Sequence, residues 1–341
     1  MEEIQLESCQ YKTYADYIED QYEDNYHRYS WLVNFLRKGH PSSPNSALSF
    51  PVRIFLLDSS NECLTSRKFS IKRDSLLDPL FVNTLKEAQC NRQTRLILVQ
   101  YRHFENINPS FIDTLGLWCG LDPAFFSVHF ECDFDRIGQI THCPTRSLPS
   151  EKRCLQIITD EWSFMTATWK ISKNEHTLVV LERDDHLGSA DHIPALHDKL
   201  TKHISPDEIA RLNRYPADYL FPYVREAARR AASVSAQFTP FRAGIESNHD
   251  QNLGVKWDII QRNQQAMVSS LNSLSKFLAC PEINAGSDAL NLSSLLFDYR
   301  ELIQETNRIS ADIQMLLQQQ ANLASIQQAR RGLEQTDSVR R

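Results

Sequence analysis

Glycine is scarce in this chain: nine residues in 341. Loops that cradle phosphate need glycine for close backbone approach, and no GxGxxG or Walker loop occurs. A GxSxG nucleophile elbow is absent too. No CxxC pair is present among the eight cysteines. The start, "MEEIQLESCQ", is acidic and has no apolar run, so a secretory leader is not expected. Reduced cytosolic thiols are the better reading of the cysteines. Long hydrophobic runs are also missing. The longest, "LILV" (96–99) and "TLVVL" (177–181), are strand-sized, far below the roughly 20 apolar residues that cross a bilayer. An excess of positive charge is lacking: the net charge is −6, which argues against nucleic acid as the main partner.

What remains is the composition of a globular protein, 41% hydrophobic and 23% charged, long enough for a sizeable core. Residues 1–50 form an acidic, tyrosine-rich extension and a loop. Tyr14, Ile18, Tyr22, Tyr26 and Tyr29 recur at helical steps and predict an amphipathic helix whose tyrosine face packs on the body. "HPSSPNSALSFP" (40–51) follows as a loop.

Residues 51–190 read as a mixed α/β domain. Strands are expected at 52–58, 95–101, 154–159, 163–171 and 176–182, from β-branched and aromatic runs. "LILV" is apolar throughout and predicts a central strand. "SFMTATWKI" alternates and predicts one wet face. Helices are expected at 74–89, 108–118 and 122–130. Asn108–Pro109 and Asp122–Pro123 each place a capping side chain before a proline, the usual helix start.

Strand signals end near 190. Residues 191–285 read as helical arms and 286–341 as one long, stalk-like helix. The fold class is therefore α+β, a mixed sheet flanked by helices in an α/β/α arrangement, with helical arms and a stalk after it. On the last helix a 3–4 step from Leu292 passes through Leu295, Tyr299, Leu302, Thr306, Ile309, Ile313, Leu316, Gln320 and Leu323. This is a heptad seam interrupted only by Thr306 and Gln320. Self-association or docking is expected along Leu302, Ile309, Ile313, Leu316 and Leu323. The alternative is packing inside one chain, against helices at 217–238 and 250–279.

Sites of chemistry are few. Cys119 in "LGLWCG" has no visible base and reads as a buried structural thiol. His129, Cys132, His142 and Cys143 are zinc-type donors without a zinc-site spacing. Asp184, Asp185, His186, Asp191, His192, His197, Asp198 and His203 gather between 182 and 203 without sharing a helical face, and read as a solvated loop and polar helix. The early acids read as a solvated face. No catalytic set is visible, so the chain is not expected to be an enzyme.

Three stretches resemble the cytosolic portion of the CorA-type divalent-cation channels, in the divergent form common in fungi. "INPSFIDTLGLWCGLDPAFFSVHF" (107–130) is similar to a short helix followed by that family's "ldp–F" helix. "WSFMTATWKISKNEHTLVVLERDD" (162–185) is similar to its paired strands. "SIQQARRGLEQTDSVRR" (325–341) resembles the end of its stalk helix. The resemblance covers roughly 95–341. It implies an apolar span after Arg341 and a Gly-Met-Asn pore mouth, and neither is in this sequence, so the chain as given is expected not to conduct. It further implies a cytoplasmic module with self or full-length relatives as partners, membrane-proximal at Arg330, Arg331, Arg340 and Arg341. A regulatory hard cation of the magnesium type is also implied, held by carboxylates. No acidic residue is matched to such a site; Asp288, Asp298 and Asp312 on the long helix are places to look. The competing expectation is a non-catalytic accessory or scaffold protein, for example one of a fungal specialised-metabolite pathway.

Overall fold

Asn108 and Asp122 each start a helix as their position before proline predicts. Asn108 Oδ1 accepts the Ser110 N–H at 2.9 Å, and Asp122 Oδ1 accepts the Ala124 N–H at 2.8 Å. Between these helices Gly120 sits at φ 54°, a left-handed position that favours glycine and closes the first of them. In this computed structural model the residues described are 11–23, 26–38, 51–60, 63–72, 77–86, 93–102, 107–134, 154–158, 163–172, 175–184, 197, 201, 204–237, 253–280, 283 and 291–340.

Their helices are α1 (Tyr14–Gln21), α2 (Tyr26–Lys38), α3 (Pro79–Lys86), α4 (Pro109–Cys119), α5 (Pro123–Phe134), α6 (Pro206–Arg214), α7 (Phe221–Ala236), α8 (Leu253–Leu278) and α9 (Asn291–Arg340). A 3-10 turn, Pro216–Leu220, leads into α7. The strands are β1 (Val52–Ser59), β2 (Leu64–Ile71), β3 (Thr94–Tyr101), β4 (Cys154–Ile158), β5 (Ser163–Ser172) and β6 (Glu175–Asp184). They form one sheet in the order β2-β1-β3-β6-β5-β4, in which only β3 and β6 run parallel.

Strand alternation divides the core in two. Ile54, Leu56, Ile97, Val99, Val179 and Leu181 face a cluster with α1–α5. Phe55, Leu57, Leu96, Leu98, Leu178 and Val180 face a cluster with α7, α8 and the start of α9. The result is the expected α/β/α layering with a mixed sheet. β3 is central and buried on both faces, as "LILV" predicts.

Three local expectations need correction. The tyrosine stripe is carried by two helices, since the chain turns at Tyr22; the rings of Tyr11, Tyr14, Tyr17, Tyr22 and Tyr29 still pack on one another. β5 has no wet face over Phe164–Trp169, which are buried, because α5 and α7–α8 cover opposite sides; Lys170 beyond them is half-buried. β2 was not anticipated. It is an edge strand in which only Ile71 is buried, and it carries Arg67 and Lys68 where an apolar run would otherwise mark a strand.

Candidate functional site

The long helix begins at a buried anchor. The carboxylate of Asp218, 3% exposed, accepts the N–H groups of Asn291 at 3.2 Å and Leu292 at 3.1 Å and pairs with Arg211. A carboxylate at a helix N-terminus satisfies orphan donors and opposes the helix dipole. α9 is thus held at its first turn by the 3-10 turn before α7.

From there its seam is laid into the protein. Leu292, Leu295 and Tyr299 are buried in the cluster under the sheet, with Leu302 half-buried at its margin. Thr306 enters a polar layer. Its hydroxyl donates to Leu302 O at 2.8 Å, so it accepts from Ser235 Oγ, 2.9 Å away, and Ser235 in turn accepts from Asn263 Nδ2 at 3.1 Å. The three side chains come from α9, α7 and α8 respectively, and all are buried. Beyond this layer Ile309 and Ile313, 1% and 0% exposed, pack with Leu253 and Ile260 of α8. Leu316 is half-buried at the edge of that small cluster. Leu323 is 48% exposed, Ile326 64% and Leu333 69%. Of the five seam residues singled out in the sequence, Ile309 and Ile313 are core within one chain, Leu302 and Leu316 are marginal, and Leu323 faces outward. The last twenty helical residues, Ala321–Arg340, extend the helix by roughly 30 Å.

The residues weighed as sites of chemistry are dispersed. His129 is buried with both ring nitrogens engaged, at 2.8 Å from Tyr101 Oη and 2.8 Å from Thr166 Oγ1. Burial, and then the Arg183 charge, hold it well below the usual histidine value, so it is a neutral bridge and has no lone pair to spare for zinc. The side chain of Cys132, and residues His142 and Cys143, lie outside what is described. Cys119 is half-buried, more exposed than expected, and its carbonyl accepts from Lys170 Nζ at 3.2 Å, as Gly120 O does at 3.0 Å. Lys170 therefore closes the C-terminus of α4, and burial lowers its pKa, with the nearby Cys119 acting in the opposite direction. Of the 182–203 group, His197 is buried, with Nε2 2.8 Å from Ser66 Oγ and its ring against Phe55. The side chain of Asp184, and Asp185, His186, Asp191, His192, Asp198 and His203, lie outside the described residues.

Among the described residues no three His, Cys, Asp or Glu side chains come together. Asp298 is exposed and Asp312 half-buried on α9, and Asp288 lies outside the described residues. No described helix is long and apolar enough to cross a membrane. Among the described residues the outer length of α9 leaves Leu323, Ile326 and Leu333 exposed; sequence reasoning reached only Leu323, since Ile326 and Leu333 stand off the 3–4 step that ends there.

No protein-family model matches the chain, and no curated protein sequence does. Among solved structures, one described as the full-length CmaX protein is similar to it with 12% identity and a TM-score of 0.39, covering 84% of this chain and 81% of that one.

Proposed function

We propose that this chain is a CorA-like module without a pore of its own, and that it works by association through the outer part of α9. The partner is another copy of the chain or a full-length CorA-like relative. The observation that carries the reading is the exposed stripe of Leu323, Ile326 and Leu333 on a helix that continues past the body. The three resembling stretches quoted above supply the family. Two further facts favour a like partner. From Ile313 to Ala329 the sequence "IQMLLQQQANLASIQQA" has no charged residue and six glutamines. Glutamine is both donor and acceptor, so such a surface complements itself and gives a strongly charged partner nothing to pair with.

Magnesium enters only as a ligand between chains. Among the described residues no donor trio is assembled, so on this reading the carboxylates come from two chains, with Asp298 and Asp312 the candidates on α9. The test is light scattering of the purified chain over a concentration series, with and without millimolar magnesium. Concentration-dependent mass growth is expected. A strictly monomeric chain at hundreds of micromolar, in both conditions, would remove the reading in favour of an accessory scaffold with a different partner.

A further inference from the structure

Met315, Ile326 and Leu333 are exposed on α9, and they share one face. Leu333 follows Met315 by 18 residues, which is about five whole turns, and Ile326 stands within ~20° of both. Leu323 lies at one flank of this face. Ile309 and Ile313, which pack with α8, point about 120–160° away from it. Toward the body the same face continues through Ala311, Arg308 and Gln304, and these too are exposed. Among the described residues the back of α9 is therefore open from its outer length to well beside α8.

This face reads alike in both directions from a midpoint between Gln320 and Ala321. Met315 and Ile326 are equidistant from it, as are Gln319 and Asn322, and then Arg308 and Leu333. Asp312 and Arg330 lie nine residues to either side of Ala321, on the flank that Leu323 occupies. Two copies of the helix laid antiparallel about the midpoint meet apolar on apolar, amide on amide, and cation beside carboxylate. Leu333 rests on the aliphatic stem of Arg308 in the other copy, whose guanidinium pairs with its own Glu305 at 3.5 Å. A parallel, in-register pair has no such match. It sets Arg308 on Arg308, Asp312 by Asp312 and Arg330 by Arg330. Charges along a two-helix seam choose its orientation by this kind of difference.

Building on the association reading above, we propose that a second copy docks antiparallel on the face of Met315, Ile326 and Leu333, with a two-fold axis at Gln320–Ala321. Every contact then occurs twice, because the same patch serves both copies. The two bodies lie at opposite ends of the helix pair and on opposite sides of it. The assembly closes as a dimer, since an isologous contact leaves no copy of the patch for a third chain. Arg330, which pairs with its own Glu334 at 3.3 Å in the single chain, gains Asp312 of the second copy as a further carboxylate.

The experiment is sedimentation equilibrium of the full chain together with disulfide cross-linking at exposed positions. The mass is expected to level off at two chains. Met315→Cys and Ile326→Cys chains, mixed in equal amounts, are expected to form the disulfide between the two substituted positions, identified by peptide mass spectrometry. Each variant alone is expected to cross-link to itself about fivefold less. Arg330→Asp is expected to raise the association midpoint about threefold or more, and adding Asp312→Arg to the same chain is expected to bring it back to within about twofold of wild type. Self-cross-linking at either position as efficient as the mixed product overturns the antiparallel dimer and leaves the association reading standing. So does a mass that grows past two chains, or a double variant no better than Arg330→Asp. A wild type that stays monomeric throughout would overturn the association reading itself, and the antiparallel dimer with it.

Discussion

Ser270 of α8 stands in for a neighbouring strand at the outer edge of β4. Its Oγ accepts the Ile158 N–H at 2.9 Å, while its own proton goes to Ala266 O at 2.8 Å. One turn along, Ser273 Oγ accepts the Gln156 N–H at 2.7 Å. A sheet edge left open is a template for unwanted pairing; here a helix closes it with two hydroxyls at i and i+3, which lie on one face. Ser270→Ala leaves the Ile158 N–H without its acceptor. An orphaned buried donor costs about 1–3 kcal/mol. Chemical denaturation is expected to show that loss, whereas Ser269→Ala, a neighbour that makes neither contact, is expected to show almost none.

Gly116 of α4 supports a second prediction. A Cβ built there would lie 2.5 Å from the ring of Tyr14. Tyr14 is fully buried, donates its hydroxyl to Leu121 O at 2.7 Å, and offers its N–H to Asp113 Oδ1 at 2.8 Å. It is the peg by which α1 docks on α4. Alanine would favour a free helix by ~1 kcal/mol over glycine, but overpacking a tight contact costs about 1–3 kcal/mol. Net destabilisation is expected, with faster proteolysis around α1. If Gly116→Ala stabilises the protein, the close approach of α1 to α4 is wrong.

His129 gives the pH dependence. Burial holds the folded pKa well below the ordinary value of 6.5. Below pH 6.5 the unfolded chain therefore binds a proton that the folded chain does not, and stability falls as pH falls. The loss reaches ~1.4 kcal/mol per pH unit for one such group. His176, whose pKa burial also lowers, adds in the same direction. Wild type should lose stability from pH 6.5 to 5. His129→Gln, which can still bridge Tyr101 and Thr166, should have the shallower slope. Equal slopes would mean that His129 is not protected from protonation.

How much of this was legible in the sequence depended on whether a residue's partner is local. Caps are local, and Asn108 and Asp122 could be read directly from the prolines beside them. β3 could be read from its unbroken apolar run. β2 could not: at an edge, Arg67 and Lys68 replace the hydrophobic face, and only Phe69 and Ile71 around Ser70 keep a period of two. Neither could the anchor of α9, since Asp218 lies 73 residues from Asn291 and belongs to another element. The heptad seam was legible as a pattern. Its division into a covered and an open half depends on where α8 begins, which no period in α9 encodes.

That division separates two substitutions that look alike in the sequence. Ile313 is fully buried against α8, and Ile326 is 64% exposed. Each is an isoleucine on the long helix, and each becomes a charge in Ile313→Asp and Ile326→Asp. At Ile313 the carboxylate would be placed among the apolar side chains of Leu253, Ile260 and Ile309. Loss of the buried side chain alone costs about 2–5 kcal/mol, and the unpaired charge adds several more. The distal arm is expected to unfold, with a lower denaturation midpoint and loss of protection in 253–262 and 309–317. At Ile326 the folded monomer pays almost nothing, since surface changes usually stay within about 0.5 kcal/mol. Its effect is expected in mass alone: circular dichroism and melting unchanged, association weakened at least tenfold. Should Ile326→Asp keep the wild-type mass profile, the exposed stripe is not the association surface. A fully folded Ile313→Asp would mean that Ile313 is not held in the core of one chain.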